Sequence, residues 1–167
     1  MIWARPLLIV GCLQGCGIYS FSSSSISKDA KTFSIRFGSE VARGPAHLAT
    51  QFQEKLATEI LQHTHLKQTS ALGDIRFDGD IVEFDYAPAA PSSSTPEHRA
   101  TITRLTIKVK LNYTNTVDSK TSFQKREFSD YADAGAKESI IDAESRLVEE
   151  ASAKIIRDIC SASIDNW

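Results

Sequence analysis

The stretch that decides the fold is residues 101–113, Thr-Ile-Thr-Arg-Leu-Thr-Ile-Lys-Val-Lys-Leu-Asn-Tyr. Thr103, Leu105, Ile107, Val109, Leu111 and Tyr113 share one phase of a two-residue period. Arg104, Thr106, Lys108, Lys110 and Asn112 share the other. Successive side chains of a strand point to opposite faces, so this is a long strand, apolar on one side and charged on the other. Its threonines and β-branched residues suit a pleated surface.

Working outward, the segment Asp74–Tyr86 is a second long strand with a fault in its phase. Ile75, Phe77, Gly79 and Ile81 hold one phase, and Val82, Phe84 and Tyr86 hold the other. A single register would place large apolar groups on both faces, so a β-bulge is expected near Ile81-Val82, with Gly79 as a second point of kinking. Between the two strands, residues 87–98 hold three of the five prolines and read as a long mobile connection. After the first stretch, Asn115 to Lys120 is a turn. A third strand from about Thr121 to Ser129 alternates poorly, which points to an edge position. Upstream, Lys31 to Phe37 alternates with Phe33, Ile35 and Phe37 on one face, and His65–Ser70 can add a small strand.

Two helices complete the pattern. Gly44-Pro45 opens the first, whose stripe is Leu48, Phe52, Leu56, Ile60 and His63. The second carries Ile140, Glu144, Leu147, Val148, Ala151, Ile155, Ile159 and Ala162, with Ser139 and Asp142 as a candidate capping box. Asp130, Asp133 and Glu138 read as acidic residues preceding that helix. One apolar stripe on each helix places both on the same face of one sheet. The expected fold is an α/β (α+β) two-layer sandwich: about four mostly antiparallel or mixed strands, with two helices packed on one face.

Composition and motif content exclude most chemistry. The chain has 167 residues, 41% hydrophobic and 24% charged, with a formal charge of -2, so no overall basic field argues for nucleic acid. Its four histidines do not combine with cysteine or carboxylate at a metal-binding spacing. There is no HExxH, Walker loop, GxGxxG or GxSxG. Asp74, Asp78, Asp80 and Asp85 read as ordinary polar patterning of a strand. The feature left over is a basic run, Arg99, Arg104, Lys108 and Lys110. Three of these residues lie on the wet face of the deciding strand, where they can meet anionic head groups, phosphorylated glycolipid or an acidic partner surface.

The N-terminus reads as an export signal. Arg5 precedes the short apolar stretch Leu7 to Leu13, far below the roughly 20 residues that span a bilayer. Leu13-Gln14-Gly15-Cys16 resembles the lipobox of bacterial lipoproteins, with Gln14 departing from the usual residue at its position. Residues 1–15 are thus a signal peptide. Residues 16–30 form a lipidated N-terminus and a tether rich in serine (SFSSSSIS, residues 20–27), and residues 31–167 form one domain. Cys16 is the candidate lipidation site, N-acylated and S-diacylglycerylated, and more than one acyl chain gives stable anchoring. Cys160, near the end of the last apolar stripe, reads as a core cysteine.

Five pieces together, Cys16-Gly17-Ile18-Tyr19-Ser20-Phe21, Lys31-Thr32-Phe33-Ser34-Ile35, Arg99–Lys110, Phe128-Ser129-Asp130-Tyr131-Ala132-Asp133 and Ala162-Ser163-Ile164-Asp165-Asn166-Trp167, resemble the LptE family, the lipopolysaccharide-assembly lipoproteins, in its Bacteroidetes form. The resemblance runs through essentially the whole mature chain. It implies a non-enzymatic protein in the cell outer membrane, lipid-anchored, facing the periplasm or within a barrel lumen. It further implies a complex with the LptD β-barrel, which such a protein plugs, helping the barrel to assemble and lipopolysaccharide to reach the outer leaflet. No cofactor is implied beyond the covalent lipid on Cys16, and the partners are the barrel, lipopolysaccharide and the membrane, not nucleic acid. The resemblance transfers no glycolipid-binding residue, so Arg99, Arg104, Lys108 and Lys110 are contact candidates from this sequence alone. An unrelated outer-membrane lipoprotein acting as a glycan- or protein-binding module is the alternative.

Overall fold

A computed structural model describes residues 26–89, 102–135 and 138–164. The elements are β1 (Thr32–Ser39), α1 (Leu48–His63), β2 (Lys67–Gln68), β3 (Ile75–Ala89), β4 (Ile102–Asn115), β5 (Phe123–Ala134) and α2 (Ile140–Ser163), with a short 3-10 turn at Ser119–Thr121. They form one five-stranded sheet in the order β2-β1-β3-β4-β5. β1 runs parallel to β2 and β3, whereas β3, β4 and β5 are antiparallel. The parallel pair β1 and β3 requires a crossover, and α1 supplies it. α1 packs on β1, α2 packs on β4 and β5, and the helices touch each other. The result is the expected two-layer sandwich, with five strands because the His65–Ser70 stretch does add β2.

β4 is the spine of the core. Leu105, Ile107, Val109, Leu111 and Tyr113 are fully buried, beside Phe77, Ile81 and Phe84 of β3 and Phe128 and Ala132 of β5. The helices close this surface with Leu48, Phe52, Leu56 and Ile60 from α1, and Leu147, Ala151, Ile155 and Ile159 from α2. The segment before β1 joins in through Ile26 and Ala30.

The phase fault in β3 is a bulge. Ile81 pairs with Val109 and Glu83 with Lys108, which leaves Val82 as the extra residue. One inserted residue returns Phe84 and Tyr86 to the side already occupied by Phe77 and Ile81. Gly79 is not part of that kink. A Cβ there would lie 2.8 Å from the Phe37 ring and 3.0 Å from the Lys110 carbonyl oxygen, so the glycine is required by close approach of the neighbouring strands.

Several expectations need correcting. β5 starts at Phe123 and runs on to Ala134, so Asp130 and Asp133 are strand residues, not a prelude to α2. The poor alternation of β5 has a local cause. Its pairing shifts between Leu111 and Tyr113, where Lys125 takes a φ of 55° and donates its N–H to Asn112 Oδ1 at 2.8 Å. His63 does not extend the apolar stripe: it is exposed and lies 3.2 Å from Glu59 one turn back. Ser139 is the N-cap of α2 but makes no side-chain capping bond. Ala87, Pro88 and Ala89 belong to β3, paired with β4. The rest of the 87–98 connection, the expected signal peptide, Cys16, Arg99 and Asp165-Asn166-Trp167 lie outside the described residues.

Candidate functional site: the open face of the sheet

The helices cover one face only, and among the described residues nothing packs on the other. β4 and its neighbours line this open face in register. Arg104 stands opposite Asp133, Lys108 opposite Ser129, Lys110 opposite Asp80 on one side and Glu127 on the other, and Asn112 opposite Asp78. Arg104, Lys108 and Lys110 are therefore brought together on one face, as their spacing predicts.

What the spacing does not reveal is the set of carboxylates facing them. Arg104 Nε and Nη2 donate to the two oxygens of Asp133 at 2.7 and 2.9 Å, a fork-to-fork pair of the stronger kind. The guanidinium also stacks over the Tyr131 ring at 3.6 Å. The hydrogen bond from Arg104 holds the Asp133 carboxyl below its ordinary range, against a smaller opposing effect of burial. Lys108 Nζ meets Glu83 at 2.7 Å, and that hydrogen bond raises the lysine pKa. Arg36 meets Asp78 at 2.7 Å. Lys110 is exposed and has no ion pair among the described residues.

Asp80, Asp85 and Glu127 share this face and, like Lys110, have no ion pair among the described residues, so the open face is a lattice of crossed charges, not a free basic strip. Glu83 was hidden from sequence reasoning because the bulge at Val82 decides which way it points. Asp133 was hidden because it was assigned to the wrong element. The apolar phase of Phe128, Ala132 and Ala134 is the signal for a strand that reaches Asp133.

Asp74 plays a structural part at one end of the sheet. Its Oδ2 accepts from Lys31 N–H, Thr32 N–H and Thr32 Oγ1 at 2.9, 3.0 and 2.9 Å, tying the start of β1 to the start of β3. On the helix side, Tyr86 donates its hydroxyl to Glu144 Oε2 at 3.2 Å. Burial, helped by Glu144, pushes that phenol up to about 12. Neither arrangement contains a nucleophile beside a base. Among the described residues no group of three or more His, Cys, Asp or Glu residues is placed to hold a metal ion.

The family model for LptE, described as lipopolysaccharide-assembly, matches residues 30–160, most of the chain and nearly all of the described fold. The chain belongs to the LptE family. It is accordingly a non-enzymatic outer-membrane lipoprotein that partners LptD in lipopolysaccharide assembly. No helix among the described residues is long and apolar enough to cross a membrane. No curated protein matches the chain.

Solved structures align with this LptE chain, and the first two below share its fold. A protein from Xanthomonas campestris aligns with a TM-score of 0.54 at 9% identity, covering 80% of this chain and 82% of its own. A putative neuraminyllactose-binding hemagglutinin homologue from Helicobacter pylori gives 0.52 at 12% identity, with 79% and 84% covered. A minor lipoprotein from Acinetobacter baumannii gives 0.44 at 13% identity, with 81% and 97% covered.

Proposed function

We propose that this LptE protein seats its open sheet face against the lumen wall of its LptD barrel, held near the membrane by a lipid on Cys16. The observation that supports this reading is the crossed-charge lattice itself. A barrel interior is polar. A face on which Arg104, Lys108 and Arg36 are already paired with Asp133, Glu83 and Asp78 presents few bare cations to such a wall, and Asp80, Asp85 and Glu127 are left to pair with donors on it. Lys110, opposite Asp80 and Glu127 in register, is an exposed cation left to pair with a barrel carboxylate or a glycolipid phosphate. Arg99 belongs with it by sequence, and Arg104 and Lys108 fix the shape of the surface around it.

The geometry gives the plug a direction. The start of β1 lies at the same end as Ile75 and Asn115, because Phe33 pairs with Ile75 and Ile75 with Asn115. Ala89 and Ile102, the strand ends on either side of the β3–β4 connection, lie at the other end of strands 15 and 14 residues long, about 45 Å away at the rise of a strand. The lipid end and the connection thus belong at opposite ends of the plug. Ten peptide links separate Cys16 from Ile26, a reach of at most about 35 Å.

Lys110→Glu tests the reading. The variant folds as the parent does, and its yield of barrel complex, or its binding of lipopolysaccharide, falls severalfold. Unchanged complex formation and unchanged glycolipid binding would remove the open face from the contact surface.

A further inference from the structure

The two edges of the sheet differ in how they are guarded. An edge strand exposes a row of unpaired N–H and C=O groups, and proteins blunt it with bulges and lysines. The β5 edge carries both devices: the irregularity at Lys125, and Lys154, whose Nζ donates to the Tyr131 carbonyl at 2.7 Å. The β1 edge carries neither. Its outer neighbour β2 is two residues long, pairing only Thr32 and Phe33, so β1 is uncovered from Ser34 to Ser39 over about 20 Å.

Which backbone groups face outward follows from the ladder. The Phe33 carbonyl accepts from Thr69 N–H at 2.9 Å, toward β2, whereas Glu40 N–H donates to the Ile81 carbonyl at 3.0 Å, toward β3. Odd-numbered residues of β1 therefore present their amide groups to the open side. Ile35 N–H, Ile35 C=O and Phe37 C=O have no partner there among the described residues. Phe37 N–H has only a long 3.4 Å contact to Gln53 Oε1 of α1. Beside them lies an open groove of about 620 Å³, bounded by Gln53 on one side and Gln68, Thr69 and Ser70 on the other.

We propose that this edge is a strand-addition site, and that its occupant is an extended segment of the barrel partner, hydrogen-bonded to Ile35 and Phe37 with Gln53 displaced. Main-chain bonds give such a mode its affinity, and alternate side chains give it specificity. A second copy of this chain is a poor occupant. Symmetric antiparallel pairing about the centre of the Ile35–Phe37 segment sets Arg36 against Arg36, and like charges directly opposite are destabilising. Arg36 spends only its Nε on Asp78, and its remaining exposed guanidinium donors favour instead a segment with an acidic or polar residue at that position. The proposal rests on the LptD partnership and adds where the partner takes hold.

The test is amide hydrogen exchange on the full-length lipoprotein, free and in its purified barrel complex, after size-exclusion has shown that the complex is intact. The Ile35 and Phe37 amides slow by about tenfold or more in the complex, while the exposed Lys125–Glu127 segment of the other edge does not. Gln53→Lys, which sets an ammonium over the groove as Lys154 does at the opposite edge, lowers complex yield severalfold without changing the fold. An intact complex with no protection at Ile35 and Phe37 overturns the proposal. So does protection that grows with concentration of the free protein, which would make the occupant a second copy. A chain that forms no barrel complex fails at the size-exclusion step and overturns the functional reading with it.

Discussion

Arg104, Asp133 and Tyr131 show how much one side chain's neighbours change its meaning. Read alone, Arg104 is part of a basic run; in the fold it is a forked donor to Asp133 and a lid on Tyr131. The alternation of β4 made its face legible, but its partner lies 29 residues away and depends on strand register. Tyr113 is the opposite case. Its position in the apolar phase was readable, yet its hydroxyl is buried with no hydrogen bond of acceptable geometry among the described residues. Tyr113→Phe removes a desolvated polar atom, so stability in urea should stay equal or rise by up to about 1 kcal/mol. Tyr86 carries a pH signature. Its phenol holds its proton more tightly when folded, so its bond to Glu144 stabilises the fold up to the ordinary phenol range near pH 10, and that stability is lost as pH rises toward about 12. Phenolate absorbance during alkaline titration should show late components from Tyr86 and the buried Tyr113, and Tyr86→Phe should remove one of them. Asp74 has the reverse sign. Hydrogen bonds from Lys31 and Thr32 hold its carboxyl low, so its contribution is present at neutral pH and lost as acid protonates it below about pH 4. Asp74→Asn should flatten the acid side of the stability profile.

At the scale of elements, β4 and the bulge of β3 were legible because a two-residue period leaves little choice about which side faces the core. Five apolar residues in one phase needed a helix cover, and both amphipathic stripes supplied it. Leu111→Ala, at a fully buried point of β4, should cost about 2–5 kcal/mol in chemical denaturation. The start of β5 is hard to read because its irregularity at Lys125 scrambles the alternation, and its end because Asp130 and Asp133 read as acidic residues ahead of α2. The role of Gly79 was misread for a different reason. Close approach of two backbones leaves no mark in one sequence except the glycine itself. Gly79→Ala presses a methyl group on the Phe37 ring and the Lys110 carbonyl, and should destabilise by about 1–3 kcal/mol. A variant as stable as the parent would restore the kink explanation.

The whole molecule is a one-sided sandwich whose two faces do different work. The helix-covered face supplies the core, which needs no partner to be buried, and the open face supplies a polar, internally paired surface. This division was visible in the sequence as two amphipathic helices against one-sided strands. The ion pairing across the open face was not, since it depends on Asp78, Glu83 and Asp133 on neighbouring strands. Reversing Arg104 and Lys108 together (Arg104→Glu, Lys108→Glu) sets each beside a carboxylate, and should weaken the barrel complex more than Lys110→Glu while the core keeps the domain folded. The central claim is that this LptE protein works as an anchored partner of a barrel. Its most direct test is purification from native outer membranes in detergent through a C-terminal tag, with mass spectrometry of the eluate and of the protein's N-terminus. The account predicts a large β-barrel protein in stoichiometric amount and an acylated Cys16 as the first residue. An acylated chain that elutes with no barrel would contradict it.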